Sequence, residues 1–168
     1  MKRSLFVGRF QPFHNAHLSD IIDILKEIDE VIIAIGSSQE FNTSRNPFSY
    51  SERKEMIEDV LENHGIENYR IYPVPDFHDD NKWVIYIKNN LPEYEFVYSG
   101  NPWTLRCFKE HDSKLRKIRL IRGISSTIIR NMLINNESWQ NLVPKEIVSY
   151  INRIKGVERI IRIAANIK

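Results

Sequence analysis

The sequence predicts an α/β fold: a Rossmann-like, doubly wound parallel sheet of about five strands followed by a helical C-terminal segment. Short β-rich runs alternate with segments whose apolar residues recur at helical spacing. One run, Val31-Ile32-Ile33-Ala34-Ile35, is apolar throughout, as a strand buried on both faces of a parallel sheet must be. Gly8-Arg9, Gly36-Ser37, Ser99-Gly100 and Gly123-Ile124 all fall at strand ends, where open α/β sheets bind their ligands.

Taken in order, Leu5-Phe6-Val7 is the first strand, broken at Gly8-Arg9. After a loop punctuated by proline, Leu18, Ile21, Ile22 and Leu25 have the spacing of a helix face. Val31 to Gly36 is the second strand, and Ser37 to Pro47 a long polar loop. Ser49-Tyr50-Ser51-Glu52 has capping-box spacing, and the helix it opens turns Met56, Ile57, Val60 and Leu61 inward. Tyr69 to Val74 reads as a strand, Trp83 to Leu91 as a helix and Glu95 to Ser99 as a strand. Asn101-Pro102 is a helix cap with proline at the first helical position. Lys117 to Ile121 is the fifth strand, and Ser125-Ser126-Thr127 caps a helix through Leu133. In the tail, Ile147, Val148, Ile151 and Ile154 share a helical face that ends at Gly156. With no linker or repeat, one domain is expected over residues 1–168: an α/β core, 1–136, with C-terminal helices, 137–168, packed on it.

Composition narrows the function classes. Of 168 residues, 42% are apolar and 27% charged, the balance of a soluble globular protein. A net charge of +2 is too mild to imply a nucleic-acid partner. The core of the basic stretch Lys114 to Arg122 alternates charged and apolar residues, as a strand with one solvated face does, and a phosphate contact from its end stays open. The apolar run before Gly8 is too short for a signal peptide and no later run has membrane-spanning length, so no membrane partner is expected. The single cysteine, Cys107, rules out an internal disulfide or a multi-cysteine metal site and suits a reducing cytoplasm.

The two commonest phosphate-loop signatures are absent. What stands at the strand ends is Arg9, the pair His14 and His17 at a helix start, and a second cap, Ser125-Ser126-Thr127, followed by Arg130. A helix N-terminus offers unpaired N–H groups and the positive end of its dipole to an anion. Residues three apart share a helix face, so both imidazoles can address one phosphate. Arg130 adds a planar fork suited to bidentate phosphate binding. Zinc needs a third protein ligand, and His64, His78 and His111 are scattered, so no metal site is expected. His78-Asp79-Asp80 reads as a solvated loop, and Trp83 at the start of an apolar helix reads as core.

The segments "GRFQPFHNAHL" (Gly8 to Leu18) and "ISSTIIR" (Ile124 to Arg130) resemble the HxGH nucleotidyltransferase superfamily. Within it, "IGSSQ", "NPFSYSER", "YSGNP", "LVPKEIV" and "IKGVERI" resemble the archaeal-type nicotinamide-nucleotide adenylyltransferases over essentially the whole chain. The resemblance implies a Rossmann-like enzyme that joins the AMP moiety of ATP to nicotinamide mononucleotide, giving NAD and pyrophosphate. It implies an ATP site of Gly8, Arg9, His14, His17, Gly100, Asn101, Ile124, Ser125, Ser126, Thr127 and Arg130, with His14, His17, Arg9 and Arg130 as the catalytic charge stabilisers. Phe10, Gln11, Ser37, Arg45, Asn81 and Trp83 are the implied contacts of nicotinamide mononucleotide. Mg²⁺ carried by the nucleotide and a homo-oligomer, a hexamer in the family, are implied with them. Alanine at position 16 departs from the family's glycine and bears on ATP affinity more than on reaction class. The alternatives are a related adenylyl- or cytidylyltransferase for another phosphorylated small molecule, or a nucleotide- or RNA-binding module without catalysis.

Overall fold

A computed structural model of the chain describes residues 1–111, 113–118 and 120–166. Among them, five strands, β1 (Arg3–Gly8), β2 (Glu30–Ile35), β3 (Tyr69–Pro73), β4 (Phe96–Ser99) and β5 (Lys114–Lys117), are interspersed with seven helices. The helices are α1 (Asn15–Ile24), α2 (Tyr50–Asn63), α3 (Asp80–Asn90), α4 (Pro102–Lys109), α5 (Ser126–Ile134), α6 (Lys145–Arg153) and α7 (Gly156–Ala165). All strand pairings are parallel and the order is β3-β2-β1-β4-β5, the expected doubly wound arrangement. The order reverses between β1 and β4, the place where such sheets receive ligands.

Contacts group the chain into two compact units, a partition unlike the expected division at residue 136. The first holds residues 1–8, 19–38 and 68–120, and therefore the whole sheet with α3, α4 and most of α1. Its core is built from Leu5, Ile32, Ala34, Val84, Ile87, Val97 and Phe108. Cys107 is buried in the same cluster, and burial together with the charge of Asp80 pushes its thiol up to about 11. The second unit holds residues 9–18, 39–67 and the chain from 121 onward, with α2, α5, α6 and α7. Here α6 packs on α2 and α7, and α7 packs on α5. Met56, Ile57, Val60, Ile129, Ile147 and Ile151 are fully buried.

Three expectations are corrected. The fifth strand starts at Lys114, not Lys117, because it pairs with β4 in the register Phe96↔Lys114. Charged and apolar residues alternate on both sides of a slip at Arg116-Lys117, so period alone cannot fix the ends of the strand. Of the residues expected in it, Arg119 lies outside the described residues, while Leu120 and Ile121 are 75% and 38% exposed. On α1 the buried apolar residues are Ala16, Ile21 and Ile24, with Ile28 beyond its end; Ile22 is exposed and Leu18 and Leu25 are half-buried, because the inward face follows the spacing 21, 24, 28 rather than the predicted stripe. Gly156 opens α7 rather than ending the preceding helix. Lys155 takes the left-handed turn between the helices, at φ 53. A Cβ on Gly156 would lie 3.1 Å from both Phe48 Cε1 and Ile151 Cγ2, so close packing, not helix termination, accounts for the glycine.

Candidate phosphate-binding site

The loop that precedes α1 is tied down by its backbone oxygens, since buried carbonyls require donors. Arg53 Nη1 donates to Arg9 O at 2.9 Å, Arg130 Nη1 to Gln11 O at 2.9 Å, and Ser126 Oγ to Pro12 O at 2.9 Å. The Gln11 side chain grips the Phe48 backbone at both ends: Nε2 donates to Phe48 O at 2.9 Å and Oε1 accepts from Phe48 N at 3.0 Å. Arg130 and Ser126 stand on the first turns of α5, so the two helix starts singled out in the sequence meet within the second unit.

At the start of α1 the histidines cap the helix. His14 Nδ1 accepts from the N–H of His17 at 3.4 Å, and His17 Nδ1 accepts from the N–H of His14 at 3.3 Å. The exchange is a capping box made of imidazoles, and it explains their spacing of three. The rings stack at 3.5 Å between centroids, 12° from parallel. With each Nδ1 acting as acceptor, a neutral ring carries its proton on Nε2, so the Nε2 of each ring is an N–H donor. Burial lowers the His14 pKa to about 4. Burial, then the neighbouring His14, holds His17 well below its ordinary value. Both are therefore neutral donors near pH 7. Ala16 lies inside this first turn, helical and buried, where alanine carries no backbone penalty.

Cationic charge gathers around Arg130. Burial, followed by the positive charges of Arg9 and Arg45, lowers the Arg130 guanidinium to about 10. Arg130 is 7% exposed, whereas Arg9 and Arg45 are exposed. The α5 hydroxyls are engaged internally. Ser125 caps the helix by accepting from Ile128 N at 3.2 Å, and Thr127 Oγ1 accepts from Arg130 Nη2 at 3.3 Å. The offer of α5 to an anion is thus its first-turn amides and Arg130, with Ile124 leading into the cap. Donors and fixed positive charge, set on two helix N-termini, suit a polyphosphate.

The remaining candidates lie in the first unit. Gly8 ends β1 opposite Ile35, and its carbonyl accepts from Gly36 N at 2.9 Å. Ser37 follows β2 at 6% exposure. Gly100 is packed by Ile118 and Leu120, and Asn101 caps α4 by accepting from Trp103 N at 2.9 Å. Asn81 is exposed, its Oδ1 3.1 Å from His111 Nε2. Trp83 is 3% exposed and packs against Trp103 at 4.9 Å and Phe108 at 5.6 Å, in keeping with its reading as core. Asp79 is the N-cap of α3. Among the described residues, no three His, Cys, Asp or Glu side chains are grouped to hold a metal ion. Arg53, fully buried, was not singled out from the sequence, although it falls in phase with Met56, Ile57 and Val60 on an otherwise apolar helix face.

Residues 5–132 match the cytidylyltransferase-like family. Curated relatives extend the match to the whole chain: the nicotinamide-nucleotide adenylyltransferase of Pyrococcus furiosus is 39% identical, covering 100% of this chain and 92% of its own. The enzyme of the same name from Saccharolobus solfataricus is 43% identical over 95% of each. This chain belongs to the nicotinamide-nucleotide adenylyltransferase family. Among solved structures, a bifunctional NMN adenylyltransferase/ADP ribose pyrophosphatase from Francisella tularensis, complexed with AMP and a manganese ion, aligns with a TM-score of 0.78 at 26% identity. That alignment covers 96% of this chain and 52% of the bifunctional one, so the chain spans about half its length. Family members are nucleotidyltransferases, and the parallel sheet described above is the fold they share.

Proposed function

We propose that the chain transfers the AMP moiety of ATP to nicotinamide mononucleotide, giving NAD and pyrophosphate, and that the α1–α5 cluster carries the phosphates. The names of its relatives support the reaction. The observation that supports the site is the imidazole capping box, closed by two neutral rings with no carboxylate in the cap, on a helix whose preceding loop is held by Arg130 and Ser126 of α5.

The nucleophile is a phosphate oxygen. A phosphate monoester has its second pKa at about 6 and arrives largely deprotonated, so no general base is required. Catalysis is then positioning and charge stabilisation. His14 and His17 donate to phosphate oxygens, while Arg9, Arg45 and Arg130 offset the charge that builds on the leaving pyrophosphate. A divalent ion, Mg²⁺ in our reading, would be brought by ATP and would offset part of the phosphate charge; Arg9, Arg45 and Arg130, being cations, would hold the nucleotide rather than the ion.

ATP contacts at Gly8, Gly100, Asn101, Ile124, Ser125, Ser126 and Thr127, and mononucleotide contacts at Phe10, Gln11, Ser37, Arg45, Asn81 and Trp83, complete the proposal. Phe10 and Gln11 are each 1% exposed, so both present almost no surface to a ligand. Trp83 presents little ring surface to any ligand. A cytoplasmic homo-oligomer belongs to the same reading, with exposed Ile128, Ile134 and Ile161 supplying apolar surface.

Pyrophosphate release from ATP and Mg²⁺ is the test, run with nicotinamide mononucleotide, nicotinate mononucleotide and other phosphorylated acceptors. Release with a pyridine mononucleotide is expected. Silence with both and release with another acceptor would transfer the chain to a different substrate class.

A further inference from the structure

Arg53 is 0% exposed and lies on the inward face of α2. A guanidinium there needs acceptors for its donors. Nε donates to Ser49 O at 3.2 Å, one turn back, and Nη1 donates to Arg9 O at 2.9 Å. The second bond has the longer reach. The Arg9 oxygen and the Phe10 nitrogen share one rigid peptide plane, so holding that oxygen orients the plane entering Phe10.

Phe10 sits at φ 53, a left-handed conformation that is unfavourable for a bulky residue and persists only where its surroundings hold it. In that conformation its ring stands edge-on to His17, 4.8 Å between centroids and 70° between planes. Phe13 supports the same imidazole at 5.4 Å. His17 in turn stacks on His14 and closes the cap.

We propose that Arg53 is a positioning residue for the histidine pair: through the Arg9 carbonyl it keeps Phe10 left-handed, and the Phe10 ring fixes the plane of His17 and so the aim of both Nε2–H donors. Fully buried, it acts without touching a ligand. The inference rests on the reading that these histidines receive the phosphates. Arg130 differs from Arg53 in kind, since it holds Gln11 O and also keeps a surface beside the site.

The test compares Arg53→Lys, Arg53→Met, Phe10→Leu and the double variant Arg53→Lys/Phe10→Leu, measuring kcat, KM for ATP and the thermal midpoint of each. An ammonium lacks the fork that spans both carbonyls, so Arg53→Lys is expected to lose about 10- to 100-fold in kcat. KM for ATP should move by less than about threefold, as for a loss felt mainly in the transition state. Phe10→Leu should act likewise, and the double variant should be no slower than the slower single. Imidazole ¹⁵N shifts should report Nε2–H tautomers in the parent and mixed tautomers in Arg53→Lys. Additive losses, or parental kcat and ¹⁵N shifts with only a lowered midpoint, would overturn the proposal. If Arg53→Met does not fold, Arg53→Lys and Phe10→Leu decide, and parental kcat in both rejects it. Turnover lost in His17→Ala but kept in those two variants sinks the positioning role alone. Turnover kept in His17→Ala sinks the site reading, and this inference with it.

Discussion

Two helix starts in the second unit share one hydrogen-bonding plan and differ in what closes it. At α2, Ser49 Oγ accepts from Glu52 N at 3.2 Å and Glu52 Oε2 accepts from Ser49 N at 2.8 Å. At α1, the same reciprocal pair of bonds is made by His14 and His17. The α2 box ends in a carboxylate, which then takes both arms of Arg159 at 2.7 Å each. Its charge is spent inside the protein. The α1 box is closed by neutral rings whose Nε2 atoms are donors, and the first turn of that helix carries no acidic residue. Cap geometry is common to both; the chemistry of the closing residue separates a fastener from the proposed phosphate receptor.

The sharpest way to break this comparison is to move the closing residue of one box into the other. His17→Glu keeps an acceptor for the His14 amide, so the fold should persist with a thermal midpoint close to the parent's. Turnover should nevertheless fall by about 100-fold or more, since a donor is replaced by a negative charge facing the phosphates. Steady-state rates and thermal melts of one preparation check both halves. A fast enzyme would mean that cap geometry, not the imidazoles, serves the reaction.

Arg159→Ala probes the other box. Removing a charged, bidentate partner that is 19% exposed should lower stability by about 2 kcal/mol, with kcat within about twofold of the parent. Denaturant titration and steady-state kinetics measure the two numbers. A large loss of kcat would tie α7 to the chemistry.

The boxes should also respond to acid in separate ranges. The ligand-free His14 pKa lies near 4 in the folded chain, against an ordinary value of 6.5 for a solvated imidazole. The unfolded chain therefore binds more protons as pH drops below 6.5, and stability is lost from there toward 4 at up to about 1.4 kcal/mol per pH unit per imidazole. For Glu52, burial raises the pKa, but bonds from Arg159 and the Ser49 amide outweigh it and hold the carboxyl below 4.5. Its contribution is complete above 4.5 and disappears only as pH falls through its lower folded value. Unfolding midpoints between pH 7 and 3 should show the first loss flattened in His14→Gln and the second removed in Arg159→Ala.

The smallest effect is expected at the plainest cap. Ser125→Ala removes a neutral acceptor from Ile128 N, and about 1 kcal/mol of stability should go with it. The Ser125 hydroxyl is committed to that bond and the ATP contact proposed at this residue is through its backbone, so KM for ATP should change little, as a rate-versus-ATP curve will show.

Much of this was legible in the residues. The Ser49–Glu52 box, the Asn101-Pro102 cap and the all-apolar β2 carry local signals strong enough to survive folding. The meeting of α1 and α5 was readable only as chemistry, from two phosphate-suited helix starts, because their bonds run between residues more than 110 positions apart. That the histidines cap their own helix was not readable, since imidazole is an uncommon cap and the i, i+3 spacing also suits a shared ligand. Arg53 left a trace, a cation on an apolar stripe, but its target carbonyl is 44 residues away. The start of β5 was hidden by a repeating alternation that fits several registers equally well.

The lone thiol has a practical use. Cys107 is 2% exposed, and its pKa of about 11 leaves almost no thiolate near neutrality. An alkylating reagent can reach it only when α4 and the sheet part company. Its labelling rate is a clock for opening of the first unit, present in the natural chain and readable by mass spectrometry without any engineered probe.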